Sequence, residues 1–233
     1  MNEEKALEMV NKIFKQVFDC ENKKTVTELL DSFAFDLKLP QMVYDSTTNE
    51  ETWAASINPT RFMTLSNMEK KDNLEGWLLE RKSITNLSEL LNIWKNINYM
   101  TTERVYDSLH VVKSDTIYRC EKVYQSLNCS DCKNLIFCDG CAHSEYLLAS
   151  QRTGSTQFGI RVDDSIDCSN SYNVVCSNKI SNSLFIQDCF NLHECIFCAH
   201  IANKKYCIAN MQFEKEEYFA IKKQIVEWIL TSS

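Results

Sequence analysis

Val174-Val175-Cys176-Ser177-Asn178-Lys179-Ile180-Ser181-Asn182-Ser183-Leu184-Phe185-Ile186-Gln187-Asp188-Cys189-Phe190-Asn191-Leu192 carries the pattern on which the fold turns. Every third residue here (Val174, Ser177, Ile180, Ser183, Ile186, Cys189, Leu192) is small or aliphatic, and the residues between them are far more polar. The same lattice runs from Val105 to Asn210, and of its 36 positions only Lys204 and Asn210 break the rule. After residue 100 the cysteines are 120, 129, 132, 138, 141, 168, 176, 189, 195, 198 and 207, and all but Cys176 lie on it.

A helix repeats every 3.6 residues and a strand every 2, so neither produces a period of three. A parallel β-helix of hexapeptide type does, because short strands alternate with bends around a narrow axis that admits only slender side chains. A six-residue beat lies inside the lattice. Val105, Val111, Ile117 and Val123 alternate with Ser108, Ser114, Cys120 and Ser126, and the phase has slipped by three in Val174, Ile180, Ile186 and Leu192. The slip falls within Gln151–Thr156, where an inserted loop is expected. Three six-residue sides would give turns of about 18 residues, about six turns and a height of roughly 30 Å. Cys120 would then stack on Cys138, and Cys189 on Cys207.

Upstream, Ala6, Val10, Ile13, Phe14 and Val17 recur at helical spacing within Glu3–Phe18, and a second helix is expected over Lys23–Phe33. Alternation of Phe33, Phe35, Leu37 and Leu39 predicts a strand ending at Pro40, and the polar stretch Asp45–Thr60, with Pro59, predicts a loop. Asn86 and Glu89 form a capping signal for a helix carrying Leu87, Leu90, Leu91 and Trp94 on one face. Trp53, Trp77 and Trp94 are assigned to a core or an interface. Beyond the lattice, Tyr218, Ile221, Ile225 and Trp228 or Ile229 make one face of a helix over Glu214–Leu230. The expected class is α+β: a mostly helical N-terminal domain over 1–103, a parallel β-helix over 104–212 and a C-terminal amphipathic helix over 213–233. The helical parts are expected to cap the two ends of the coil, whose open edges would otherwise invite pairing.

The chain has 233 residues, 12 cysteines, 4 glycines, 2 prolines and a formal net charge of −7. No G-x-G-x-x-G or G-x-x-x-x-G-K-[ST] occurs, which argues against a phosphate loop. The acidic balance argues against direct nucleic-acid binding, and no apolar run approaches the ~18 residues of a membrane span. The start lacks a basic segment followed by an apolar one, so free thiols in a reducing, cytoplasmic setting are expected.

Cys129-x-x-Cys132-x5-Cys138-x-x-Cys141 matches the spacing of a four-thiolate zinc site. The lattice accounts for the same four residues as small core fillers, as it does for Cys195-x-x-Cys198, and no metal is expected. His143, His193 and His200 fall between lattice positions and should point outward. A hexapeptide-type acyltransferase would use such a histidine as general base. A Cys141–His143 nucleophilic pair is disfavoured because Cys141 should face inward. Arg161–Asp164 and Glu214–Glu217 read as solvated charge clusters; an acidic surface imitating DNA is the weaker alternative. No catalytic residue and no cofactor are expected.

Asn203-Lys204-Lys205-Tyr206-Cys207-Ile208-Ala209-Asn210-Met211-Gln212-Phe213-Glu214-Lys215-Glu216-Glu217-Tyr218, with the cysteine spacing before it, resembles the endings of uncharacterised cysteine-rich short-repeat proteins of bacteria and their phages. The resemblance covers about the last 110 residues. It implies a repeat scaffold and brings no catalytic residues with it. The expected function is therefore a non-enzymatic structural protein whose partners are other protein subunits of a large assembly, such as a phage virion. The alternatives are an acyltransferase and a zinc-binding module.

Overall fold

In a computed structural model that describes residues 2–57, 61–70, 77–131, 133 and 136–232, the lattice winds into a parallel β-solenoid of about eight turns. Its strands run from β5 (Val105–Tyr106) to β15 (Ala202–Ile208), and every pairing between turns joins a residue to the one twelve positions later. Val105 lies on Ile117, Ile117 on Cys129, Val162 on Val174 and Cys195 on Cys207. The turn is therefore twelve residues, not eighteen, and has four three-residue sides. At the usual strand spacing the coil stands about 38 Å tall. Cys120 does not stack on Cys138, nor Cys189 on Cys207; Cys138 lies on Ser150.

Left-handed backbone makes the short side, and the chain adopts it almost without glycine. From Asp107 to Ala209, every third described residue has φ between 45° and 67°, and among them only Gly140 is a glycine. Asp, Asn, His, Lys and Arg supply most of the other bends, and Thr116 is the one β-branched residue among those described, in keeping with the cost of a β-branched side chain at positive φ. Cys176, the cysteine off the lattice, occupies one of these outward bends and is exposed.

Four inward corners per turn account for the six-residue beat. Opposite corners are alike, so each cross-section holds two large and two small side chains. Ile117, Val123 and Leu147 fill one diagonal pair of columns in the early turns. Val162, Val174, Ile180, Ile186 and Leu192 fill the other pair later. The slip is a transfer of bulk between diagonals and needs no inserted loop: Gln151 pairs with Asp139 and Asp163, and Gly154 bridges Ala142 and Ile166. Gly159 sits at the transfer, where a Cβ would come within 2.9 Å of Val162 and 3.1 Å of Leu147.

The inward serines tie successive turns together. Ser183 Oγ donates to the Ser181 carbonyl at 2.7 Å and accepts the Cys195 N–H, one turn on, at 3.0 Å. Ser114, Ser126, Ser165, Ser171 and Ser177 make the same two bonds at their own positions. Backbone N–H groups facing a dry interior need such acceptors. Cysteine keeps the weaker donation, as from Cys129 Sγ to the Leu127 carbonyl at 3.2 Å.

One outer column is apolar throughout: Val112, Tyr124, Ile136, Leu148, Ile160, Tyr172, Leu184, Ile196 and Ile208 pair in register, one per turn. The helices bury it from the side. α1 (Glu3–Phe18), capped by Asn2, and α2 (Val26–Phe33), with a Thr25–Glu28 capping box, join it in one core through Ala6, Val10, Ile13, Phe14, Leu29 and Phe33. α5 (Lys215–Ser232) adds Tyr218 and Ile229 to that core, while Trp228 stays exposed. α1 packs along the flank rather than over an end, because the apolar column creates its burial demand there.

Between α2 and β5 lie β1 (Gln41–Tyr44), β2 (Glu51–Ala54), β3 (Phe62–Thr64), α3 (Leu65–Lys70), α4 (Leu87–Ile97) and β4 (Met100–Thr102). Strand β1 pairs antiparallel with β2, and β3 pairs parallel with β4. This region joins the first turns of the coil: the Glu103 N–H donates to the Trp53 carbonyl, the Ala55 N–H to buried Asp115 at 2.8 Å, and Lys113 lies over the Trp53 ring. The expected loop Asp45–Thr60 thus contains β2, and its Pro59 lies outside the described residues. The strand expected over Phe33–Leu39 is a turn, held by Arg161, which donates to the Phe33 carbonyl and pairs with Asp36 at 2.7 Å. At the other end, β16 (Met211–Gln212) folds back antiparallel onto β15. An antiparallel return of this kind blunts an edge that could recruit a further strand.

Candidate functional site

Three of the four cysteines with zinc-site spacing are described, and they lie within the coil. Cys129, Cys138 and Cys141 face inward and are buried; Cys132 lies outside the described residues. Cys138 and Cys141 occupy adjacent corners of one turn, with Cα atoms 6.4 Å apart, and their sulfurs form a disulfide. The expectation of free thiols fails at this pair, because adjacent corners aim both side chains at the same axis. Burial pushes the Cys129 thiol well above its usual value. Among the described residues, no three His, Cys, Asp or Glu side chains gather closely enough to hold a metal ion.

The histidines point outward, as expected. His143 and His200 are mostly exposed, 4.0 Å from Asp131 and 3.6 Å from Asp188 respectively. His193 Nδ1 lies 2.8 Å from Ser181 Oγ, one turn below it. Cys141 faces the axis and His143 faces solvent, so the two are not brought together.

The outer surface is a set of ladders in which like positions repeat every turn. Asn170 donates to Asn182 and Asn191 to Asn203. Arg119 pairs with Asp131 and Arg152 with Asp164, each one turn away. Tyr106–Tyr118, Tyr146–Phe158 and Phe185–Phe197 stack face to face, with ring centroids 4.5 to 5.0 Å apart. The cluster at 161–164 is less solvated than its composition suggests. Arg161 is largely covered against Asp36, and burial raises the Asp163 carboxyl.

Two clefts flank α1. The larger, about 630 Å³, lies between α1 and the Tyr146–Phe158 stack and is edged by Lys12, Lys15 and Glu21. The second, about 560 Å³, separates the end of α1 from α5. It contains the Glu194–Lys222 ion pair at 2.7 Å, in which Lys222 also donates to the Asn182 carbonyl. Burial and the neighbouring Glu194 push the Tyr218 phenol above its usual value. Neither cleft is lined by a histidine or a cysteine.

α4 presents an exposed apolar face. It has the expected Asn86 cap, with Glu89 N–H donating to the Asn86 side chain at 2.9 Å. None of its residues is buried. Leu87, Leu90, Leu91 and Trp94, which share one face at i, i+3, i+4 and i+7, are between 46% and 68% exposed. Trp94 is therefore not a core residue, and Trp53 and Trp77 are half-buried. The chain was compared with family models, curated proteins and solved structures. It matches none of them.

Two features escaped the sequence reading. The apolar column was visible by sampling every twelfth residue from Val112, but the three-residue lattice hides it among polar neighbours. The exposure of α4 had no local signal, since an amphipathic helix has the same pattern whether its partner lies in its own chain or in another.

Proposed function

We propose that the chain is a non-enzymatic structural protein: a rigid β-solenoid that presents α4 to other protein subunits of a large assembly. The observation that carries this reading is the α4 face. Four large apolar side chains on one helix are left to solvent, and a helix of eleven residues is marginal in water without tertiary packing. A contiguous exposed apolar patch marks an interaction surface more often than chance exposure does. The coil supports the role by rigidity, because its interior serines and outer ladders lock each turn to the next. A phage virion is the assembly we favour, from the likeness of the C-terminal half to cysteine-rich phage and bacterial repeat proteins. Synthesis in the cytoplasm accompanies that reading, and direct nucleic-acid contact does not.

The test is sedimentation of the tagged chain from lysates of its own source. Co-sedimentation with particles far heavier than 27.1 kDa is expected, with release to the free chain in Leu91→Lys and Trp94→Lys and no change in circular dichroism. Wild-type protein that sediments only as a free monomer would overturn the reading.

A further inference from the structure

Consecutive inward positions are adjacent corners of the coil, and Cys138 with Cys141 shows what two cysteines do there: their Cα atoms are 6.4 Å apart and their sulfurs are joined. That separation lies inside the usual disulfide range. The same relation recurs once more among the described residues, at Cys195 and Cys198. Both are buried in the core of the last turns, at 0% and 1% exposure. Both are free thiols that donate to carbonyls of the next turn, Cys195 Sγ to Lys204 and Cys198 Sγ to Cys207, each at 3.6 Å.

We propose that Cys195 and Cys198 form a second disulfide inside the coil, made by exchange with a low-molecular-weight disulfide of the oxidised-glutathione class.

Cys207 is the competing partner, because it stacks directly on Cys195. Register partners in a parallel sheet carry parallel Cα–Cβ bonds and stay about 4.8 Å apart, wider than the ~3.8 Å between Cβ atoms that a disulfide prefers. Corner neighbours converge on the axis instead. The chemistry needs two exchanges. The Cys198 thiolate attacks one sulfur of the small disulfide and expels a small thiolate, leaving a mixed disulfide on Cys198. The Cys195 thiolate then attacks the Cys198 sulfur and expels the second small thiolate. The two cysteine protons end on the two small thiols, the cysteine sulfurs are oxidised, and the small disulfide is reduced. In the open turns neither thiol is held by the other, and the same balance holds if Cys195 attacks first. Neither sulfur has room for a mixed disulfide in the closed coil, so oxidation belongs to the period when the last turns are open.

The experiment refolds the full-length chain in a glutathione buffer containing the oxidised form. It alkylates free thiols in denaturant and maps the peptides by mass spectrometry after chymotryptic cleavage at Phe197. The expected result is a Cys195–Cys198 link with Cys189 and Cys207 alkylated, forming at least ten-fold faster on refolding than in folded protein given the same buffer. In Cys198→Ser, which folds because serine is already common at inward positions, Cys195 should alkylate fully. Alkylation of both Cys195 and Cys198 after refolding, or a Cys195–Cys207 link, would overturn the proposal. Equal rates in folded and refolding protein would overturn the requirement for open turns.

Discussion

Replacing Ser183 by alanine isolates the bonds that hold one turn on the next. The side chain is fully buried, and alanine fits without a clash. The substitution removes the 2.7 Å donation to the Ser181 carbonyl and leaves the Cys195 N–H, now 3.0 Å from Ser183 Oγ, without its acceptor in a dry interior. A lost hydrogen bond alone costs ~1 kcal/mol, and an orphaned buried donor costs ~1–3 kcal/mol, so the expected loss is about 2 kcal/mol. With a urea slope of ~2–3 kcal/mol per molar, the unfolding midpoint should fall by roughly 1 M. Ser183→Cys should lie between alanine and wild type, because a thiol still donates but accepts poorly. The control is Ser155→Ala, at an outward bend, which should stay within ~0.5 kcal/mol. Urea titration followed by circular dichroism measures all three. If Ser183→Ala and Ser155→Ala were indistinguishable, the inward serines would not be linking turns.

Three further outcomes follow from the same geometry. Gly159→Ala should destabilise the chain by about 1–3 kcal/mol in the same titration, because the new methyl meets Val162 at 2.9 Å and Leu147 at 3.1 Å in a filled interior; a neutral result would mean that the transfer of bulk between diagonals is loosely packed. Ile180→Lys should prevent folding, read as loss of the circular-dichroism signal, by placing an unpaired charge on the coil axis, where Ile180 is 0% exposed. Asp45 is buried, which raises its carboxyl, but donations from the Thr47 hydroxyl, the Thr64 N–H, Asn67 and the Thr47 N–H outweigh this and hold it well below the usual range. Its stabilising contribution should therefore be complete above pH ~4, the unfolded value, and be lost as the pH falls through the lower folded value. Asp45→Asn should remove that part of the acid dependence, and an unchanged acid profile would contradict the assignment.

How much of this could be read from the sequence depends on what each signal constrains. The inward lattice was legible because a narrow coil admits only slender side chains, and Val174, Ser177 and Ile180 obey that at every turn. The length of the turn was not legible. A six-residue beat fits turns of twelve or eighteen equally, and only the outward column of Tyr124, Ile136, Leu148 and Ile160 distinguishes them. The helices were found from their own periodicity and caps, but the placement of α1 along the flank depended on that column and was not foreseen. Phe33, Phe35, Leu37 and Leu39 alternated like a strand, yet Arg161, more than 120 positions away, holds Asp36 and turns the chain there. The cysteines were legible as core filler and the histidines as outward. The Cys138–Cys141 bond was not, because the convergence of two adjacent corners becomes visible only in three dimensions.

The twelve-residue turn is the central claim, and one distance tests it directly. Spin labels at Arg119→Cys and Asn191→Cys, both exposed bends, would be placed in a background with the exposed Cys176 changed to serine. The two sites are 72 residues apart on one ladder. Six twelve-residue turns separate them by about 29 Å, whereas four eighteen-residue turns would separate them by about 19 Å. A double electron–electron resonance distribution centred near the longer distance is the expected result. A distribution centred near the shorter one would contradict the fold described here.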